Sequence, residues 1–276
     1  MVLNDYLETA VRAAIAAGRE ILAVYETDFG VEKKSDNSPL TIADQSAHEI
    51  IKAGLKSLGL PLLSEEGRAI PFEERRQWQR FWLVDPLDGT KEFIRRNGEF
   101  TVNIALIEDN RPIMGVVYVP VQDCLYFAAK PMGAFKLAQA RHLCQDGAGQ
   151  PFPVTLEALL ATAVRLPLAD LPPRIYTVVG SRSHATSDLE NYIDKLRSTK
   201  GALDFVSAGS SLKFCLVAEG KADIYPRLGP TMEWDTAAGQ VVAQCAGARV
   251  VNHETGSELC YNKESLLNPW FIVERI

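Results

Sequence analysis

At 276 residues with 47% apolar content, the chain can bury a sizeable core as one large domain or two intimate halves, and disorder is excluded. A formal charge of -6 excludes a sequence-independent binder of nucleic acid polymers, which needs a basic face to displace counterions, yet allows a small anion held by local cations. The cysteines at 124, 144, 215, 245 and 260 form no Cys-x-x-Cys pair and read as reduced thiols of a cytoplasmic protein. Arg12, Arg19 and Glu20 interrupt any amino-terminal signal, and no run reaches the roughly 20 apolar residues that cross a bilayer, so membrane contact is at most peripheral, on the cytoplasmic side of the inner membrane.

Leu7, Ala10, Val11, Ala14, Ile15, Gly18, Ile21, Leu22 and Tyr25 recur at helical spacing behind a cap at Asn4 or Asp5, which predicts an opening amphipathic helix. After a polar loop, Thr41 and Asp44 make a capping-box-like start to a second helix, whose Ala47, Ile50, Ile51, Leu55 and Leu58 lead to Gly59 as a stop. Leu62-Leu63-Ser64-Glu65-Glu66-Gly67 reads as a short apolar strand, then acids, then glycine. Phe81 to Val84 read as a buried strand that Pro86 cannot continue, so Asp85 and Asp88 leave its end together, and Gly89 turns the backbone before Thr90. Glu99 to Ile107 and Pro112 to Val119 make a hairpin around Asp109-Asn110-Arg111, with further strands at 123–129 and 134–138. Gln139 to Pro153 is polar and aperiodic, the seam between two intimate subdomains, roughly 1–145 and 146–276, of a single domain. Past an irregular break from Pro167 to Pro173 come a strand Ile175 to Val179, a helix after Ser183 or Ser187, a helix Ser210 to Glu219, a strand through Ile224, a helix Asp235 to Ala246 and a closing strand Trp270 to Val273. Spacing alone therefore gives a layered α/β (α+β) protein.

The acids of this pattern carry its chemistry. Two carboxylates in one tight turn repel by roughly 4 kcal/mol at an effective dielectric near 20, so a hard cation is expected between Asp85 and Asp88. Glu65 offers another carboxylate after a strand. Glu233-Trp234-Asp235 places acids where a small-residue helix begins, a position that also presents backbone N–H groups to an anion. Without a His or Cys cluster, the donor set disfavours zinc and suits magnesium. A lone Asp-x-x-Asp turn is more often a solvated loop; the conjunction, in this order, is what informs.

An acid pair after a strand, another acid after a strand, and Trp-Asp opening a small-residue helix resemble the lithium-sensitive, magnesium-dependent phosphatase superfamily of inositol monophosphatases, fructose bisphosphatases and 3'(2'),5'-bisphosphate nucleotidases. Lys34-Ser35-Asp36-Asn37-Ser38-Pro39-Leu40-Thr41, Asp85-Pro86-Leu87-Asp88-Gly89-Thr90-Lys91-Glu92-Phe93, Gly209-Ser210-Ser211-Leu212-Lys213-Phe214-Cys215 and Tyr225-Pro226-Arg227 are similar to the bisphosphate nucleotidase branch of bacterial CysQ type. Lys91-Glu92 stands where an inositol monophosphatase typically reads Thr-Asn. The resemblance covers nearly the whole chain, to Asn268-Pro269.

That resemblance implies a sugar-phosphatase-like fold of alternating layers of helices and sheets, with the metal site between the subdomains. It implies Glu65, Asp85, Asp88 and Asp235 as side-chain ligands, and Leu87 as a main-chain ligand, of two or three magnesium ions. Its catalytic set is Thr90, Asp44 and Glu65, with Thr90 orienting and helping to deprotonate the attacking water and Asp44 accepting the proton of Thr90. Ser210, Lys213 and Arg227 are carried to the 5'-phosphate and ribose of a nucleotide and His184 to its base, while Glu65, Leu87, Asp88, Gly89, Thr90 and Asp235 also line the substrate site. Lys34 and Asp36 lie in a loop that would close over a further metal. Glu66 and Glu233 read as solvated or as supports of the ligands, and His48, His142 and His253 as structural.

The expected substrate is a small nucleotide bisphosphate, adenosine 3',5'-bisphosphate converted to AMP and phosphate in sulfur assimilation, with 3'-phosphoadenylyl sulfate as a second one. The expected assembly is a monomer or homodimer. Two rivals stand beside this reading: a phosphatase of inositol or sugar phosphates from the same superfamily, and a catalytically silent metal- or nucleotide-binding regulator. The intact set Glu65, Asp85, Asp88, Thr90 and Asp235 argues against the second.

Overall fold

The computed structural model describes residues 3–27, 39–144, 154–181 and 187–276. Its architecture follows from apolar residues that occupy both parities of one strand. In β2 (Arg80–Asp88), Trp82 and Val84 face one way, Phe81 and Leu83 the other, and all four are buried. Such a sheet must be covered on both faces. On the Trp82 face, α1 (Leu3–Tyr25) and α2 (Pro39–Leu55) supply Val11, Ile15, Ala43 and Ile51 to a core shared with Ile104, Tyr118 and Phe127. On the Phe81 face, α7 (Leu212–Glu219) and α8 (Glu233–Cys245) pack through Phe214, Cys215, Ala238 and Val242.

This sheet has seven strands in chain order: β1 (Leu62–Ser64), β2, β3 (Thr101–Glu108), β4 (Arg111–Val119), β5 (Cys124–Ala129), β6 (Gly133–Ala138) and β7 (Val164–Leu166). The β1–β2 pair is parallel and the others antiparallel. Asp109 and Asn110 close the expected β3–β4 hairpin with φ of 46° and 60°, the two-residue turn whose twist matches that of the strands. A second sheet runs in the order β11 (Ala248–Asn252), β12 (Phe271–Arg275), β10 (Ile224–Arg227), β8 (Tyr176–Gly180) and β9 (Leu203–Ser207). One face packs Tyr225, Phe271 and Val273 against α7 and α8; the other packs Val178, Ile224 and Ile272 against Ile193 of α6 (Ser187–Lys200). The result is helices, sheet, helices, sheet, helix, the alternating layers expected from the resemblance.

Small residues let the middle layer come close. A Cβ on Gly115 of β4 would lie 2.4 Å from the carbonyl oxygen of Ala238, so only glycine there admits α8 onto the sheet. The chain leaves the first sheet after Leu166, since β7 pairs with β6 and Leu159 of α5 (Leu156–Thr162) joins the core beneath α1. Of the stretch read as a seam, residues 145–153 lie outside the described residues. Among the described residues no helix is long and apolar enough to cross a membrane.

Candidate active site

The acid turn is built differently from the expectation that β2 stops at Val84. The strand continues through Pro86 to Asp88, pairing Asp85 with Asn103 and Asp88 with Thr101, so three steps on β2 face two on β3. Residues three apart on a regular strand point to opposite faces; the extra residue of this bulge restores parity and brings both carboxylates to one side. Pro86 fits because the ladder is already interrupted there, where no N–H is needed. Leu87 shares the bulge, outside the ladder register, and its N–H donates to Asp85 Oδ1 at 3.1 Å. Gly89 follows with φ 104°, and a Cβ there would lie 2.2 Å from Ser210 Oγ, so both conformation and contact demand glycine. α4 (Thr90–Ile94) starts at once, with Thr90 half-buried at its first position.

Glu65 extends the parallel β1–β2 pairing by one step, its N–H donating to the Val84 carbonyl at 3.2 Å, which sets its side chain beside Asp85. Asp235 is the third residue of α8, and its Oδ2 accepts the Met232 N–H at 2.9 Å. Carboxylate oxygens of Glu65, Asp85 and Asp235 all lie within 4.8 Å of one another. Asp88 stands beside this triad, its Oδ2 accepting from Asn103 Nδ2 at 3.2 Å and Thr101 Oγ1 at 3.4 Å.

Burial, then the charges of Glu65, Asp88, Asp235 and Asp44, hold the Asp85 carboxyl well above the usual carboxylate range. Burial, and next Asp88, push Asp235 up to about 8. Burial also raises Asp88, an effect offset by Lys213 and by the hydrogen bond from Asn103. Asp44, buried on α2, is thus near enough for its charge to act on Asp85. Three carboxyls raised by burial, with Glu65 beside them and only oxygen donors, fit a hard divalent cation, which would relieve both desolvation and repulsion.

The opposite wall of the cleft is cationic. Lys213 of α7 is buried, with Nζ 2.7 Å from the Ser210 carbonyl, 3.3 Å from that of Ala208 and 5.6 Å from the centre of the Tyr225 ring. Burial lowers its pKa to about 8, while Asp88 acts to raise it. Arg227 ends β10 and donates through Nη2 to the Pro230 carbonyl at 2.8 Å. Asp88, Gly89, Ser210, Lys213, Arg227 and Asp235 line one cleft. The Ser210 hydroxyl lies 2.8 Å from the Asp88 carbonyl and 2.7 Å from that of Glu99, and its own carbonyl accepts from Lys213. His184, Lys34 and Asp36 lie outside the described residues.

Residues 3–270 of the sequence match the inositol monophosphatase family. The chain belongs to that family. It is 47% identical, over 272 residues spanning 97% of this chain and 98% of the relative, to the 3'(2'),5'-bisphosphate nucleotidase CysQ of Shigella flexneri. Its fold matches the crystal structure of CysQ from Bacteroides thetaiotaomicron, a bacterial member of the family, with a TM-score of 0.90 and 50% identity over 99% of this chain and 97% of the other. An inositol monophosphatase from Zymomonas mobilis shares the fold at a TM-score of 0.72 and 22% identity, over 99% of this chain and 94% of its own. The family is one of metal-dependent phosphatases, an activity to which an acidic cluster facing a cationic wall is suited.

Several residues around the site escape a sequence reading. Glu233, read as either solvated or a support, is fully buried, its carboxylate accepting the N–H of Asn262 at 2.6 Å and of Lys263 at 3.1 Å and pairing with the Lys263 ammonium. It ties the 260–268 segment to the start of α8, as does Asn268, whose Nδ2 donates to the Met232 carbonyl at 2.7 Å. The Glu-Trp-Asp spacing was the one available hint. His48 is structural as expected, with Nδ1 2.8 Å from Ser64 Oγ, directly behind Glu65. Asn103 has no local signal, and Ser211 stood in the Gly209–Cys215 stretch without a role of its own.

Proposed function

We propose that the protein is a magnesium-dependent 3'(2'),5'-bisphosphate nucleotidase that hydrolyses adenosine 3',5'-bisphosphate to AMP and phosphate, with 3'-phosphoadenylyl sulfate as a second substrate, in sulfur assimilation. One observation carries this reading: Asp235, a member of the acidic cluster, and Asp88 line a single cleft with Lys213 and Arg227, so one substrate can present one phosphate to the acids' cation and another to the basic side chains. An inositol monophosphate has no second phosphate for Lys213 and Arg227. The CysQ relatives bear the corresponding name.

Glu65, Asp85, Asp88 and Asp235, with the Leu87 carbonyl, would hold two or three magnesium ions. Bound there, they would supply charge neutralisation at the phosphoryl group, activation of water and stabilisation of the leaving oxygen. The chain's own groups do the remaining work. Thr90 orients the attacking water and passes a proton toward Asp44, since an unassisted hydroxyl is a poor base. Lys213 and Arg227 grip the 5'-phosphate by charge-assisted hydrogen bonds, and the remote grip aligns the 3'-phosphate with the water. The four described cysteines are free, which supports a reducing cytoplasmic setting, where the protein acts as a monomer or homodimer.

The test is phosphate release from adenosine 3',5'-bisphosphate, inositol 1-phosphate and fructose 1,6-bisphosphate, with magnesium or chelator. The nucleotide is expected to be fastest, chelator to abolish turnover and magnesium to restore it. Faster turnover of either other substrate, or none on any, would overturn the proposal.

A further inference from the structure

Two buried side chains that the chemistry above does not use connect the walls of the cleft. Asn103 on β3 and Ser211 at the start of α7 are each 1% exposed. Asn103 Nδ2 lies 3.2 Å from Asp88 Oδ2 and 3.0 Å from Ser211 Oγ, and Ser211 Oγ lies 2.9 Å from the carbonyl oxygen of Asp235. The atoms dictate the direction of this chain. An ionised carboxylate and a carbonyl only accept, so the amide gives one N–H to Asp88 and the other to Ser211, whose single proton goes to Asp235. Ser211 holds the N-cap position of α7, yet its side chain caps no N–H of that helix. A serine there ordinarily accepts from the second or third helical N–H, so its hydroxyl has been diverted to the neighbouring helix.

Nothing local ties the two acids together. Asp88 ends a bulged strand of the first sheet, and Asp235 opens a helix of the middle layer. Their carboxylates repel, and burial removes the water that would screen them. We propose that Asn103 and Ser211 are positioning residues. They hold Asp88 and Asp235 at one separation and lock that separation to α7, so the cation site and Lys213 move as one body. The identity of the substrate rests on the nucleotidase reading; the brace itself can be tested by cation binding alone.

The experiment compares Asn103→Ala, Ser211→Ala, the double variant and Ser211→Thr. The first readout is Mn2+ affinity by calorimetry and by the electron paramagnetic resonance of the free ion, which needs no turnover. Each single alanine variant is expected to bind Mn2+ at least about tenfold more weakly, the usual cost of losing a group that orients a metal ligand. The double variant is expected to be no weaker than the worse single one, because both cut the same chain. Ser211→Thr, which keeps the hydroxyl, recovers most of the loss. The second readout is kcat/KM on adenosine 3',5'-bisphosphate and on inositol 1-phosphate, expected to fall together because the cation site serves both. The double variant strands no buried N–H, as Ser211→Ala strands that of Asn103, so it carries the test if that single variant fails to fold. Wild-type Mn2+ affinity in folded alanine variants, or strictly additive losses, would overturn the brace. An inactive wild-type protein whose variants still show the expected Mn2+ pattern would sink the nucleotidase reading and leave the brace standing.

Discussion

Replacing Asp235 by asparagine separates the cost of the acidic cluster from its use. The amide oxygen can still accept the Met232 N–H, so the helix start is kept and only the charge is removed. In the folded protein Asp235 lies within 4.8 Å of both Glu65 and Asp85, where each like-charge pair costs about 3 kcal/mol at an effective dielectric near 20. The sign of the pH effect follows from its raised pKa of about 8, against roughly 3.9 in an unfolded chain. A carboxyl that prefers its proton when folded makes the metal-free protein lose stability as pH climbs from about 4 through about 8, and the asparagine variant lacks that loss. At pH 4, where the loss has barely begun, the two metal-free proteins therefore melt close together. At pH 9 the variant melts higher, by about 5 °C or more for a gain of a few kcal/mol in a chain of this size. Saturating magnesium reverses the order, since it stabilises the protein that binds it, and turnover of the variant falls at least about a hundredfold. Circular-dichroism melts at both pH values, with chelator or magnesium, measure this directly. A metal-free variant less stable than wild type at pH 9, or equal magnesium stabilisation of both, would refute the reasoning.

Lys213→Met and Arg227→Met should each lower kcat/KM on adenosine 3',5'-bisphosphate by about tenfold to a hundredfold while slow turnover of inositol 1-phosphate barely changes, as a lost charge-assisted contact at a remote phosphate requires. Equal losses on both substrates in folded variants would place these cations in the fold or the metal site instead. Because burial lowers Lys213 to about 8, its charge is lost as pH rises through that value, so kcat/KM on the bisphosphate should decline above it. In kcat the decline should shift to higher pH, since a bound phosphate retains the proton; KM values for the bisphosphate that stay flat up to pH 9.5 would contradict this. Gly89→Ala meets both a φ of 104° and the Ser210 hydroxyl, so urea melts should show a loss of at least about 1–3 kcal/mol, and an unchanged midpoint would mean that the turn relaxes freely.

The helices α1 and α2, the β3–β4 hairpin and the small-residue helix α8 were legible because each is written in consecutive residues: an apolar period, a cap, a turn pair that tolerates positive φ. Pro86 misled for the same reason. Its local rule ends a strand, but the rule is suspended in a bulge, and the bulge exists only because β3 offers two residues against three. The strands β7, β9 and β11 bury few of their residues, so no apolar run marks them, and pairing with neighbours defines them.

Sequence by itself determined which residues can do the chemistry. Hard oxygen donors at Glu65, Asp85, Asp88 and Asp235 and a glycine before Thr90 are matters of composition and short spacing, set by bonds between neighbours, while Lys213 and Arg227 stood out only through the resemblance to a family. Tertiary structure alone decided that Asp85 and Asp88 share a face, that Glu65 and Asp235 join Asp85, that Glu233 is buried, and that Asn103 and Ser211 bridge the cleft. Those facts depend on register and on the approach of five layers, which are settled by burial summed over the whole chain rather than by any segment of it.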